Sequence, residues 1–284
     1  MSSPSSRLRR ARPLLGTLVD ITLDEADAQR AHDAFDAAFA AVARVHALMS
    51  VHDPLSELRA LMRTAHLRPV RVHADTASVL RLAQAVHAAS DGIFDVAAHS
   101  GAGGSSADIH IDADDCVRFE RPLRVDLGGI AKGHAVDCAI HALRSRGIAS
   151  ALVNAGGDMR CLGATAYPVH LRFAGGVRTV AMLRDSALAA STHAHLAYQA
   201  YQASDTPQAA RTEHVDAHID AHIDARSGRA MRRSDTIVVQ APSAAVADAL
   251  TKVAMVCGTT ADNACRAMQA QWRSADYFDA QLAA

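Results

Sequence analysis

Apolar residues fall at every second position in Val19, Ile21 and Leu23, which predicts a strand over 17–23. The period then changes. Phe35, Phe39, Val42, Val45 and Met49 recur at helical intervals and predict a helix over 28–48 with one buried stripe. Asp53-Pro54 ends it, because the residue before a proline is pushed out of helical geometry. A short helix over 56–60 and a short strand over 69–73 come next. Val79, Leu82 and Val86 mark a second amphipathic helix that stops near Ser90-Asp91-Gly92, just before Ile93-Phe94-Asp95. Residues 99–106 are rich in Gly and Ser and predict a loop, and 109–111 with 116–119 form a hairpin around Ala113-Asp114-Asp115.

Leu123 and Val125 then lead an extended approach into Asp126-Leu127-Gly128-Gly129-Ile130-Ala131-Lys132-Gly133. Ala135, Val136, Ala139, Ile140 and Leu143 follow at helical spacing until Gly147, and 148–153 reads as a buried strand. A second glycine turn, Asn154-Ala155-Gly156-Gly157-Asp158, closes the unit. Glycines let backbone N–H groups approach a ligand closely, and a helix N-terminus favours negative charge, so this scaffold suits a phosphate-bearing ligand. Lys132 adds a cation at the helix start and Asp126 a carboxylate before the turn. An ordinary strand-to-helix turn with an exposed Lys has the same local pattern.

Further on, 169–173 and 180–183 flank Gly175-Gly176 as a hairpin, and 188–191 is a short strand. His214-Val215-Asp216-Ala217 recurs as His218-Ile219-Asp220-Ala221 and as His222-Ile223-Asp224-Ala225, a local duplication too short for a solenoid. On a helix the three histidines would share a face and suit a metal, whereas an extended loop fits the His-apolar-Asp pattern equally well. A strand over 236–240, a helix over 243–257 and a last helix over 260–272 complete the chain. Asp248 and Lys252 stand four apart on the first of these helices, either as a surface ion pair or, given Val246, Leu250 and Val253 nearby, on a less solvated face. No G-x-S-x-G nucleophile motif occurs.

Half of the 284 residues are hydrophobic, aromatics make up 4% and the net charge is −1, a profile of an Ala-rich globular protein. There is no basic patch with interleaved aromatics, which argues against nucleic acid, and no apolar run long enough to span a bilayer. Residues 1–12 are polar and Arg-rich and are expected to be a flexible segment ahead of one domain over 13–284. Five cysteines without a C-x-x-C pair suit the reducing cytoplasm, and a periplasmic location would require an upstream signal.

In order and spacing, several of these pieces together resemble the ApbE family of FAD:protein FMN transferases. They are Leu15-Gly16-Thr17, Met49-Ser50 through Ser56-Glu57-Leu58, Asp91-Gly92-Ile93-Phe94-Asp95, the stretch from Val125 to Gly133, Val153-Asn154-Ala155-Gly156-Gly157-Asp158, His222-Ile223-Asp224-Ala225-Arg226-Ser227-Gly228 and Ala247-Asp248-Ala249-Leu250. The resemblance implies an α+β, T-fold-related architecture with an FAD cleft. It also implies Mg²⁺-dependent transfer of FMN to a Ser or Thr hydroxyl of an acceptor flavoprotein subunit, with release of AMP. Leu15, Ile93, Phe94, Asp95, Asp126, Lys132, Gly156 and Gly157 would bind FAD. Gly129, through its carbonyl, Asp248 and Thr251 would hold Mg²⁺, and His222 would be the base.

Three positions depart from the family pattern. Lys252 stands where a Thr ligand is usual, so that either Lys252 replaces the metal's charge or Thr251 shifts in as the ligand. His222 precedes Asp224 by two residues rather than three and is followed by Ala225 rather than Pro, and Ser191-Thr192 replaces a Ser-Gly pair. The rival functions are an FAD-binding or flavin-trafficking protein and an FAD pyrophosphatase.

Overall fold

The structure, a computed structural model, describes residues 7–100, 103–173, 176–191, 223–227, 229–230 and 236–274. Its centre is a seven-stranded sheet ordered β1-β2-β6-β7-β10-β13-β14, in which every neighbouring pair is antiparallel. The strands are β1 (Arg7–Leu14), β2 (Thr17–Asp24), β6 (Ala151–Ala155), β7 (Asp158–Leu162), β10 (Ala187–Ser191), β13 (Ile237–Ala241) and β14 (Gln271–Ser274). Small ladders join β3 (Val70–Arg71), β4 (Ile109–Ile111) and β5 (Cys116–Phe119), then β8 (Tyr167–Phe173) with β9 (Gly176–Leu183), and β11 (Ile223–Asp224) with β12 (Arg229–Ala230). The helices are α1 (Ala28–Met49), α2 (Glu57–Thr64), α3 (Ala74–Ala89), α4 (Ala131–Ser145), α5 (Ala244–Val256) and α6 (Gly258–Ala267). The fold is α+β, as expected, and among the described residues no helix is long and apolar enough to cross a membrane.

Alternation along the strands divides the two faces of the sheet. Ala151, Val153 and Ala155 of β6, Ala187 and Ala189 of β10, and Ile237 and Val239 of β13 enter the main core beneath α4 and α5. Leu152, Leu188 and Val238 point the other way, into a smaller cluster closed by Tyr167, Val169 and Leu183 of the β8–β9 hairpin. Helix α1 buries Phe35, Phe39, Val42, Val45 and Met49, and α4 buries Ala135, Val136, Ala139, Ile140 and Leu143. The helix starts follow local chemistry. Asp27 accepts from the Gln29 and Arg30 N–H groups, and Ser56 and Ser243 cap α2 and α5 in the same way.

Four expectations need correction. Residues 7–12 belong to β1 rather than to a flexible segment. The strand escapes the hydrophobic pattern because its face is covered by guanidinium groups: Arg9 pairs with Asp20 at 2.6 Å, while Arg10 and Arg12 lie over the Phe35 and Phe39 rings. The last helix ends at Ala267, not near 272. Gln269 takes a left-handed φ of 55°, and the chain turns into β14, where Trp272 pairs with Val239 and its Nε1 donates to Asp262 at 2.8 Å. Ile148 is buried but lies outside the regular strand, which starts at Ala151. Finally, Asp158 opens β7 as well as closing the glycine turn.

Candidate active site

Antiparallel pairing brings the Leu15-Gly16 turn and the Asn154–Asp158 turn to one end of the sheet. The Leu15-Gly16 turn joins β1 to β2 with φ of 56° and 70°, the left-handed pair of a tight two-residue hairpin, and a leucine there is held in a sparsely populated conformation. Thr17 then lies against Gly156, where a Cβ would sit 2.7 Å from Thr17 Oγ1. Gly157 donates to Asn154 Oδ1 at 3.0 Å, and its carbonyl accepts from Ala190 N at 3.2 Å. Leu15, Gly156, Gly157, Asp158 and Ser191 thus share this end of the sheet.

Helices α4 and α5 bring the charged groups to the same end. A Cβ on Gly133 would lie 2.3 Å from Ala244 O, so only glycine permits this crossing. Asp137 of α4 caps α5 by accepting from Ala244 N at 2.9 Å and Ala245 N at 3.0 Å, and Arg160 holds its carboxylate at 2.6 Å. At this crossing the fully buried Asp248 accepts from Gly133 N at 3.3 Å, in the first turn of α4, where a helix favours negative charge. The other oxygen of Asp248 contacts Lys252 Nζ, and Lys132 Nζ pairs with the buried Asp158.

Two ammonium and two carboxylate groups therefore form one compact, mostly buried quartet. Burial by itself would raise the Asp248 pKa, but Lys132, Lys252 and the Gly133 N–H hold it below the usual carboxylate range. Burial, with Asp248 next, pushes Asp158 up to about 6. For Lys132 burial works downward, yet the two carboxylates outweigh it and the pKa is raised.

Around this quartet the chain places Phe94 and Gly129. A Cβ on Gly129 would lie 3.3 Å from Phe94 Cε2 and 3.6 Å from Lys252 Cε, so the glycine turn, the ring and the lysine stem form one wall. Asp126 fixes the turn by accepting from Gly128 N at 2.8 Å. Ile93 and Phe94 are core residues held by buried Ser90, with Phe94 N donating to Ser90 Oγ at 3.1 Å. The Asp95 carboxylate turns inward, taking the Ser106 Oγ–H at 2.7 Å and the Ala97 N–H at 2.7 Å, so it holds the loop behind Phe94. Ala225 N donates to Ile93 O at 3.4 Å and docks the 223–227 segment on this side. His222, His214 and His218 lie outside the described residues.

Two of the three residues expected to hold magnesium, Asp248 and Thr251, meet, but around the Lys252 ammonium, and Gly129 lies beside the stem of that lysine. Lys252 Nζ touches Asp248 Oδ1, lies 3.1 Å from Thr251 Oγ1 and 3.4 Å from Ser191 Oγ. Thr251 Oγ1 itself donates to Asp248 O at 2.7 Å and shares a 2.8 Å hydrogen bond with Ser191 Oγ. Mg²⁺ demands oxygen ligands at about 2.0–2.1 Å in an octahedron. Asp248 and Thr251 meet an ammonium in that place, so these residues do not fit a divalent ion.

Elsewhere among the described residues, ligand atoms of Asp75, His134 and Cys138 converge within 4.8 Å. Arg44 Nε already donates to Asp75 at 2.9 Å, and burial pushes the Cys138 thiol up to about 12, so this group is a hydrogen-bonded knot without a thiolate.

Asp158 is the site residue that sequence reasoning left out of the ligand set. Its only local signal is its place at the end of the second glycine turn, and its partner Lys132 lies 26 residues away.

The fold is α+β, with a charge-balanced quartet of two ammonium and two carboxylate groups beside glycine turns. The ApbE family model matches residues 15–102 and 104–274, and the chain belongs to that family. Similar solved structures include the following three. The ApbE protein of Thermotoga maritima is 21% identical over 88% of this chain and 87% of that one, with a TM-score of 0.70. The flavin transferase ApbE of Vibrio cholerae is 20% identical over 95% and 94%, with a TM-score of 0.72. The flavinyl transferase ApbE of Pseudomonas stutzeri, in its apo form, is 17% identical over 89% and 84%, with a TM-score of 0.70. At these identities the likeness is one of fold. No curated protein sequence matches the chain.

Proposed function

We propose that this protein transfers FMN from FAD to a Ser or Thr hydroxyl on an acceptor flavoprotein subunit, with AMP as the leaving group. The observation that carries the reading is the quartet of Lys132, Asp158, Asp248 and Lys252 beside the Gly128-Gly129 turn, in a chain of the ApbE family. The relatives from Vibrio cholerae and Pseudomonas stutzeri are flavin and flavinyl transferases, which supports the same chemistry here.

In this reading the acceptor oxygen bonds to the FMN phosphorus, the P–O bond to AMP breaks, and the hydroxyl proton passes to a base. His222 is that base. The docking of Ala225 on Ile93 supports its assignment to the Phe94 side, and an imidazole titrates near neutral pH. Lys132 and Lys252 stabilise negative charge on the phosphoryl oxygens. Ile93, Phe94 and Leu15 receive the flavin or adenosine part, Asp95 and Asp126 hold the loops that shape its pocket, and Gly156 and Gly157 permit close backbone approach. No step is assigned to magnesium, because Lys252 occupies Asp248.

The test combines purified protein, FAD and a candidate acceptor peptide, and follows AMP and covalent flavin by mass spectrometry. AMP together with an FMN-sized adduct supports the transferase, and His222→Gln should then lower transfer by about 10²–10⁴-fold while FAD still binds. AMP released without acceptor would make the protein a pyrophosphatase, and bound FAD with no AMP would make it a flavin carrier.

A further inference from the structure

Asp248 is fully buried, and a buried carboxylate needs a fixed positive partner. The ammonium in direct contact with it is that of Lys252, with three donors, and Lys132 adds a second positive charge nearby. Lys252 Nζ faces three oxygens, Asp248 Oδ1, Thr251 Oγ1 at 3.1 Å and Ser191 Oγ at 3.4 Å, from two different elements. Oxygens converging on one point are the arrangement a hard cation takes. The lysine stem is mostly buried and runs past Gly129, where a glycine leaves room for it. The side chain still keeps 15% of its surface exposed, and its longest hydrogen bond, to Ser191, is the donor most easily surrendered to a phosphate oxygen. With Lys132 alongside, two monovalent cations already balance Asp158 and Asp248, and a divalent ion added between them would be repelled by both ammonium groups.

We propose that Lys252 is a built-in cation that takes the place of a divalent metal ion at Asp248 and contacts the diphosphate of the substrate directly, so that ligand binding and transfer proceed without added metal. The proposal rests on the FAD reading for the identity of the diphosphate, but its claim about the cation is independent of flavin.

The test therefore has two arms. In the first, metal-stripped wild type and Lys252→Thr are titrated with Mg²⁺ alone, by calorimetry and by Tm. Wild type should give neither binding heat nor a Tm rise. Lys252→Thr, which exchanges the ammonium for a hydroxyl, should gain a magnesium-dependent Tm rise. In the second, FAD affinity of wild type is measured in EDTA and in Mg²⁺ by flavin fluorescence, and should agree within about twofold. Lys252→Met, which keeps the stem and removes the charge, should weaken FAD binding about tenfold or more in either buffer. Saturable Mg²⁺ binding by wild type, or FAD binding lost in EDTA and restored by Mg²⁺, would overturn the proposal. If the variants fail to fold, the wild-type titration alone decides it. If FAD binds under neither condition, the flavin reading fails while the magnesium arm still decides the role of Lys252.

Discussion

Asp75 sits where three helices meet. Arg44 of α1 donates to its carboxylate at 2.9 Å, His134 Nε2 of α4 lies 3.6 Å away, and Cys138 Sγ donates to it at 3.8 Å. Burial lowers the His134 pKa from its ordinary 6.5, outweighing the upward pull of Asp75 and Asp137, so the ring is neutral in the folded chain. A base with a folded pKa below its unfolded one contributes stability that is complete above the unfolded value and is lost as pH falls through it. The unfolded chain binds the extra proton, so stability rises with pH across this window. The Tm of wild type should accordingly drop more steeply than that of His134→Gln as pH falls below 6.5. Parallel curves would remove His134 from the account. Local pattern was enough to single out Lys132 and Asp126, and the resemblance to the ApbE family added Gly129, Asp248 and Thr251. Neither was enough to say that Lys132 meets Asp158, or that Asp95 faces inward.

At the scale of elements, the crossing of α4 on α5 builds the site. Gly133 is the closest point, and its N–H reaches Asp248 across 115 residues of sequence. Gly133→Ala should lower stability by about 1–3 kcal/mol through overpacking, although alanine is the better helix former by about 1 kcal/mol. Chemical denaturation measures this, and a neutral or stabilising result would mean that the helices separate at little cost. The same substitution should weaken FAD binding, since moving α5 moves Asp248 and Lys252 together. Helices α1, α3 and α4 were legible in the periodicity because each buries one stripe, whereas α5, buried nearly all round, was legible as an apolar run behind the Ser243 cap. Strand β14 was not, since Trp272 and its neighbours continue the amphipathic spacing of α6, and only the left-handed Gln269 breaks the helix.

For the molecule as a whole, the sheet needs β1. It covers the outer edge of β2 through eight paired positions, and Arg7, Arg9 and Arg12 each pair with an aspartate on β2 or α1. A chain beginning after Leu14 should show a lower Tm and concentration-dependent oligomers by size-exclusion chromatography, because β2 would become an unpaired edge. A monomer of unchanged Tm would show that β1 adds nothing to the sheet.

The sequence by itself determined the helices, most strands, the two glycine turns and the family, since periodicity and turn chemistry act over a few residues. Tertiary structure alone decided that Lys132 meets Asp158, and that the Asp248–Lys252 pair, already four apart on one helix, is buried beside it in the place expected for a metal. That assembly depends on strand order and on how closely two helices cross, distances that no local spacing along the chain encodes.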